Sequence, residues 1–138
     1  VQNHVRACAP RGNNYDRTIQ VGYEGSTLAG FVELEVQRGT APDTGEVFGQ
    51  LLIACLAVGV EYRGKGVGDA AVLRGLRCAA ELDARHSTGM EEVDCPVPVW
   101  AHIRKYNVPS QRLFGRHGFV RVWDHEDDPD CEVWAMIP

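Results

Sequence analysis

The sequence predicts one α+β domain: a mixed, mainly antiparallel twisted sheet of about six or seven strands carrying two helices. Three observations predict it. Residues 17–36 read as two strand-like runs around a tight turn, and a long run with helical spacing follows the first group of strands. From residue 97 onward strand character returns, so strands and helices do not alternate strictly. A chain of 138 residues, 44% hydrophobic and 24% charged, suits a single compact domain over residues 1–138.

Taken in order, Val5 to Ala9 can form a short first strand. Arg17 to Tyr23 and Thr27 to Val36 form two more around Glu24-Gly25-Ser26, and Gly39 to Gly45, with Pro42 and Asp43, is a loop. Leu51 to Val58 is apolar at both parities, as a strand covered on both faces would be. Asp69 to Arg85 reads as a helix, with Val72, Leu73, Leu76, Ala79 and Ala80 at helical spacing. His86 to Cys95 is polar and irregular. Along Val97 to Ile103 the odd positions are apolar, so Pro98, Trp100 and His102 face the other way. Asn107 can cap a short helix that tolerates Pro109 in its first turn and ends at Gly118. Phe119 to Trp123 and Glu132 to Ile137 close the sheet, joined by a solvated loop from Asp124 to Asp130.

Composition excludes some classes. Fourteen basic against nineteen acidic residues give a net charge of −5, which argues against a broad nucleic-acid surface. An acidic soluble surface, a cationic partner or a small molecule all fit. The longest apolar stretch, Leu51 to Val60, is roughly half a membrane span, and no charged-then-apolar leader opens the chain. No membrane partner is expected. Cys8, Cys55, Cys78, Cys95 and Cys131 are odd in number and widely spaced, which fits reduced thiols and a cytoplasmic location. No Cys or His pair stands at zinc-site spacing, so no metal is expected.

The chemistry concentrates in Arg63-Gly64-Lys65-Gly66-Val67-Gly68, between a buried strand and a helix start. Helix N-termini carry unpaired N–H groups and a dipole that favours anions, so the turn predicts a phosphate or pyrophosphate site. Arg63 and Lys65 add positive charge. Gly59 to Lys65 matches part of a nucleotide P-loop, but Gly66 stands where the magnesium-binding Ser or Thr would be. The order G-x-G-x-G also departs from the dinucleotide fingerprint.

Leu56-Ala57-Val58, Tyr62 and the turn from Arg63 to Gly68 resemble the acetyl-CoA motif of the Gcn5-related N-acetyltransferases (GNAT), R/Q-x-x-G-x-G/A after a strand. Asn107, Ser110, Leu113, Phe114, Gly118 and Phe119 resemble that family's N-x-x-A-x-x-L-Y-x-x-x-G-F. The two motifs span roughly residues 50 to 120 in the expected order. The resemblance implies the GNAT fold with a pyrophosphate-binding helix, acetyl-CoA as co-substrate, and direct acetyl transfer to a primary amine in a ternary complex. It further implies that Leu56, Ala57 and Val58 meet the pantetheine arm, that the amides of Gly64 to Asp69 cradle the pyrophosphate, and that Asn107 reaches the thioester end. The Val58 amide would stabilise the developing oxyanion.

The match is incomplete around the reacting atoms. A glutamate that serves some members as base is replaced by His102, whose ordinary pKa of about 6.5 suits proton removal near neutrality. The tyrosine used as acid is Phe114, leaving Tyr106 as a candidate acid. The fourth-strand base of histone-type members is Leu52, and Glu33, Glu35 and Glu46 are possible remote bases through water. Pro10 to Asp16 is too short for the helices that usually roof the acceptor groove, so the N-terminal helical region is reduced and a homodimer could complete the groove. The alternative to an enzyme is a non-catalytic acyl-CoA-binding module. Outside the motifs, Cys55 reads as a buried thiol, and Trp123 and Trp134 as core or interface. Trp100 reads as packing or cleft lining. The carboxylates from Asp124 to Asp130 could attract a polyamine, an aminoglycoside or a basic peptide.

Overall fold

The computed structural model describes residues 17–40, 43–45, 47–86 and 98–136. The expected strand at Val5 to Ala9, the Pro10 to Asp16 segment, Glu46, Cys8, Cys95 and the loop after His86 lie outside the described residues. The elements are β1 (Arg17–Glu24), β2 (Thr27–Thr40), β3 (Val47–Val58), a 3-10 turn (Val60–Tyr62), α1 (Val67–His86), β4 (Val99–Arg104), α2 (Val108–Arg116), β5 (Val120–Asp124) and β6 (Cys131–Met136). The six strands form one sheet in the order β1-β2-β3-β4-β6-β5, antiparallel except for β3 with β4. This is the mixed, mainly antiparallel α+β sheet that the sequence predicts.

Local chemistry sets the boundaries. Gly25, at φ 60°, takes the first central position of the β1–β2 loop, a conformation that costs glycine least. Asn107 Oδ1 accepts the Ser110 N–H at 3.3 Å and starts α2, with proline in the first turn. The helix ends in a Schellman motif. Phe119 N donates to Phe114 O and Gly118 N to Gly115 O, each at 3.2 Å, with Gly118 at φ 88°.

One face of the sheet carries the core. Val32 and Leu34 from β2, Leu51 and Ile53 from β3, and Val99, Ala101 and Ile103 from β4 pack against Val72, Cys78 and Ala79 of α1 and Phe114 of α2. Burying a Val or Leu side chain contributes about 1.5–3 kcal/mol, so this layer dominates the packing. The odd-numbered burial expected in β4 is observed. The helix face expected from spacing needs correction: Leu73 is 57% exposed and Ala80 exposed, whereas Gly75 and Cys78 are buried. A Cβ built at Gly75 lies 3.2 Å from Val32 Cγ2 and 3.7 Å from Ile53 Cδ1, so the sheet's own side chains fill the space a residue there would occupy. The closest approach of α1 therefore falls on a glycine, which a hydrophobic pattern does not register. Trp123 is also not core, being 51% exposed.

On the opposite face Glu33 is fully buried and ion-paired with Arg17 across the β1–β2 ladder. Among the described residues no helix is long and apolar enough to cross a membrane.

Gly75→Val should force α1 off the sheet and cost about 1–3 kcal/mol of stability. Gly115→Ala, in α2 with no atom near its built Cβ, should gain about 0.5–1 kcal/mol. Chemical denaturation of the two variants against the parent chain measures both.

Candidate active site

The parallel pair β3–β4 holds together only from Leu51↔Val99 to Ile53↔Ala101. Beyond Ile53 the register of β3 on β2 shifts, leaving Ala54 as a bulged, exposed residue. β4 meanwhile stays with β6 as far as Arg104↔Cys131. The two strands therefore part, and Leu56, Ala57 and Val58 keep β2 on one side only. Gly59 N donates to Ala29 O at 2.8 Å, which fixes the alternation. Ala57 shares that parity, so Leu56 and Val58 turn their backbone N–H and C=O groups into the opening. The apolar character of both parities in β3 thus has two origins. Leu51 and Ile53 are buried in the core and Leu52 on the opposite face, whereas Leu56, Ala57 and Val58 are half-buried walls of a cleft.

That cleft, of about 720 Å³, runs between the end of β3, the glycine turn and α2. Of the predicted cofactor residues, Leu56, Ala57, Val58, Arg63, Gly64, Gly66, Gly68, Asp69 and Asn107 all line it. Lys65 does not; its ammonium lies 5.8 Å from the centre of the Tyr62 ring. Val67 lines a separate, smaller cavity beside β1 and β2. Tyr62, Pro109, Ser110, Leu113, Arg112 and Arg116 complete the walls. Tyr62, Ser110 and Leu113 belong to the recognised motifs. The two arginines lie between motif positions, and only the placement of α2 beside the turn brings them in.

The three glycines of the turn do two different jobs. Gly64 and Gly66 sit at φ 72° and 82° with open space around a built Cβ, so their need is conformational. Gly68 has no such angle, but a Cβ there would come within 3.1 Å of Leu113 Cδ2, so it lets α1 and α2 approach. Across the same junction the Asp69 carboxylate accepts Arg116 Nη2 at 3.0 Å and meets His117 Nε2 at 2.9 Å. The hydrogen bonds from His117, first, and from Arg116 hold the Asp69 carboxyl below its usual value of 3.8. These partners offset the charge of an acid in the first turn of α1, where it borders the cleft. Asn107 spends its Oδ1 on the helix cap, so its Nδ2 is the side-chain group left to face the cleft.

A second cleft, of about 470 Å³, lies on the other face of the sheet and shares no lining residue with the first. His102 lines it, one residue beyond the last β3–β4 pair, with Leu52, Trp100, Trp123, His125, Glu126 and Asp127. The His102 and His125 rings stand edge to face at 4.7 Å, and the Trp100 and Trp123 rings 5.4 Å apart. Desolvation, and secondarily the neighbouring His125, lower the His102 pKa from its ordinary 6.5.

Other candidates are not brought to either cleft. Tyr106 is 75% exposed in the turn after β4. Phe114 is 5% exposed and packs edge to face on Phe119 at 5.0 Å, so its ring belongs to the core. Glu33 is held by Arg17, and Glu35 lies 3.9 Å from the same guanidinium. Cys55 sits opposite Glu33 on β3, its thiol pKa raised by burial and then by that carboxylate. Among the described residues no group of three or more His, Cys, Asp or Glu could hold a metal.

The sheet parts beside a glycine turn at a helix N-terminus, with one cleft on the helix side and a second on the opposite face. The model of the acetyltransferase (GNAT) family matches residues 5–119, and the chain belongs to that family. Solved structures agree in fold. Naa50 of Arabidopsis thaliana, in complex with the bisubstrate analogue CoA-Ac-MVNAL, is 15% identical with a TM-score of 0.59 over 85% of this chain and 70% of that one. NAA60 of the same plant, also with a bisubstrate analogue, is 18% identical with a TM-score of 0.61, covering 100% of this chain and 84% of that one. The PaiA N-acetyltransferase of Thermoplasma acidophilum, in complex with coenzyme A, is 15% identical with a TM-score of 0.63, covering 89% and 62%. The chain thus spans less than two thirds of that last structure's length. No curated protein matches the sequence.

Because Asp69 titrates low when folded, its contribution to stability is present above the usual carboxylate range and is lost as pH falls through the depressed value. The melting temperatures of the parent chain and of Asp69→Asn should differ most at neutral pH and converge at strongly acidic pH. Thermal unfolding across pH measures this.

Proposed function

We propose that the chain transfers an acetyl group from acetyl-CoA to a primary amine by direct attack in a ternary complex. The observation that carries this is the parting of β3 from β4 beside the glycine turn, with a separate cleft on the opposite face of the sheet. Under this reading acetyl-CoA lies in the cleft beside α1 and α2. The turn at Gly64 to Asp69 presents N–H groups to its pyrophosphate, with Arg63, Arg112 and Arg116 nearby to neutralise charge. Leu56 and Val58 pair with the pantetheine amides as a missing strand would. The Val58 N–H is the oxyanion donor, and the Asn107 Nδ2 meets the thioester end.

The amine enters from the second cleft and loses its ammonium proton to neutral His102, directly or through one water. Its nitrogen then forms the C–N bond to the thioester carbon as the C–S bond breaks, and it sheds its second proton to solvent to leave the neutral amide. With Phe114 in the core and Tyr106 at the surface, no side-chain acid is assigned. Coenzyme A leaves as the thiolate and takes its proton from solvent, a tolerable step for a thiol whose pKa resembles that of cysteine, about 8.5. The low His102 pKa keeps the imidazole basic to more acidic pH than a free histidine. A second copy of the chain completing the open amine side remains part of the proposal, and a monomer at high concentration in sedimentation removes it.

Acetyl-CoA, but not ATP with magnesium, should raise the melting temperature, by an amount equivalent to about 2.7 kcal/mol at one hundred times Kd. Gly66→Ala should weaken that stabilisation because φ 82° disfavours a side chain. Release of free thiol in the presence of primary amines separates an enzyme from an acyl-CoA-binding module. His102→Gln should lower kcat/KM by about 10²–10⁴-fold. It should also abolish an acid limb that, in the parent chain, lies below 6.5. An unchanged pH profile in the variant removes His102 as the base.

A further inference from the structure

The acidic run after β5 is neutralised unevenly. Asp124 meets Lys105 Nζ at 3.2 Å and Arg121 Nη2 at 2.6 Å, and Asp128 accepts Arg104 Nη1 at 2.7 Å. Glu126 and Asp127 have no cationic partner among the described residues, and these two line the second cleft. Among the described residues no arginine or lysine lines it. The loop that carries them is tied down. Lys105 N donates to Asp130 O at 2.9 Å, Cys131 N to Asp128 O at 3.0 Å, and Asp127 N to His125 Nδ1 at 3.2 Å. The cleft thus combines two carboxylates that meet no cation among the described residues with two indole rings, the two kinds of group that attract an organic ammonium.

Its shape narrows the ligand further. About 470 Å³ is the size of a small-molecule site. We propose that this cleft selects a linear diamine or polyamine. A second ammonium group is held between the Trp100 and Trp123 indoles and the Glu126 and Asp127 carboxylates, while the reactive amine reaches His102. The fate of the reactive amine rests on the acetyl-transfer reading; the binding preference does not.

Trp100 and Trp123 in the cleft wall make intrinsic fluorescence of the full chain a direct readout. One ammonium–indole contact with one ammonium–carboxylate contact predicts that 1,4-diaminobutane binds about tenfold more tightly than butylamine at low salt. The double variant Glu126→Gln, Asp127→Asn should equalise the two ligands with an unchanged melting temperature. Asp130→Asn, on the same loop but outside the cleft, should keep the preference. Equal binding of the two amines overturns the proposal. So does a preference that survives the double variant, an equal loss in Asp130→Asn, or tighter binding of a lysine-containing peptide of the same charge. Thiol release then separates the two readings. A diamine preference in binding without thiol release overturns acetyl transfer and leaves the cleft assignment standing. Equal turnover of butylamine and diaminobutane overturns the cleft assignment and leaves transfer standing.

Discussion

The rest of the structure depends on the brevity of one parallel strand pairing. β3 and β4 share three paired positions, Leu51↔Val99 to Ile53↔Ala101, and then separate. Those three pairs join the β1–β2–β3 half of the sheet to the β4–β6–β5 half. A longer ladder would satisfy more backbone groups but would close the opening. The protein instead leaves Leu56 and Val58 with unanswered N–H and C=O groups in a half-buried wall. Such groups are costly unless water or a ligand meets them, so the opening is predisposed to accept an amide-bearing chain. The bulge at Ala54 turns the strand, and α2, capped by Asn107, fills the space beside it without sealing it.

The charges around the opening divide by face. On the helix side, Arg63, Arg112 and Arg116 border the cleft and the one acid present, Asp69, is engaged by Arg116 and His117. On the other side the cleft keeps two carboxylates and, among the described residues, no arginine or lysine. An anionic ligand and a cationic one are therefore drawn to opposite surfaces of the sheet. A chain of net charge −5 can hold both because the charge is sorted, not because it is abundant.

Much of this was legible in the sequence, for identifiable reasons. The glycine turn, the apolar β3 and the Asn107 cap are local patterns, and each fixes its own backbone. The strands, the two helices and nine of the predicted cofactor residues follow from them. The parity of Val97 to Ile103 correctly turned His102 away from the core. What escaped depended on through-space packing. The buried stripe of α1 runs over Gly75 rather than Leu73 because Val32 and Ile53 project into that position from the sheet. Phe114, read as a vacant acid position, is a core ring held by Phe119, a contact set by the Schellman turn between them. The carboxylates from Asp124 to Asp130 already read as a possible cation attractor, but which of the five lack a partner emerges only once Lys105, Arg121 and Arg104 engage two of them.

The two clefts share no wall residue, and that separation has a consequence for how such a protein can change. The segment from His125 to Asp130 can be rewritten in length or charge without disturbing the turn at Arg63 to Gly68 or the Asp69 clasp. The paired backbone of β6 and β4 lies between them and absorbs the alteration. Under the proposed assignment of the two clefts, substrate range can therefore drift on one surface while the co-substrate keeps its seat on the other. One small frame can in this way serve many acceptors without having to rebuild its centre.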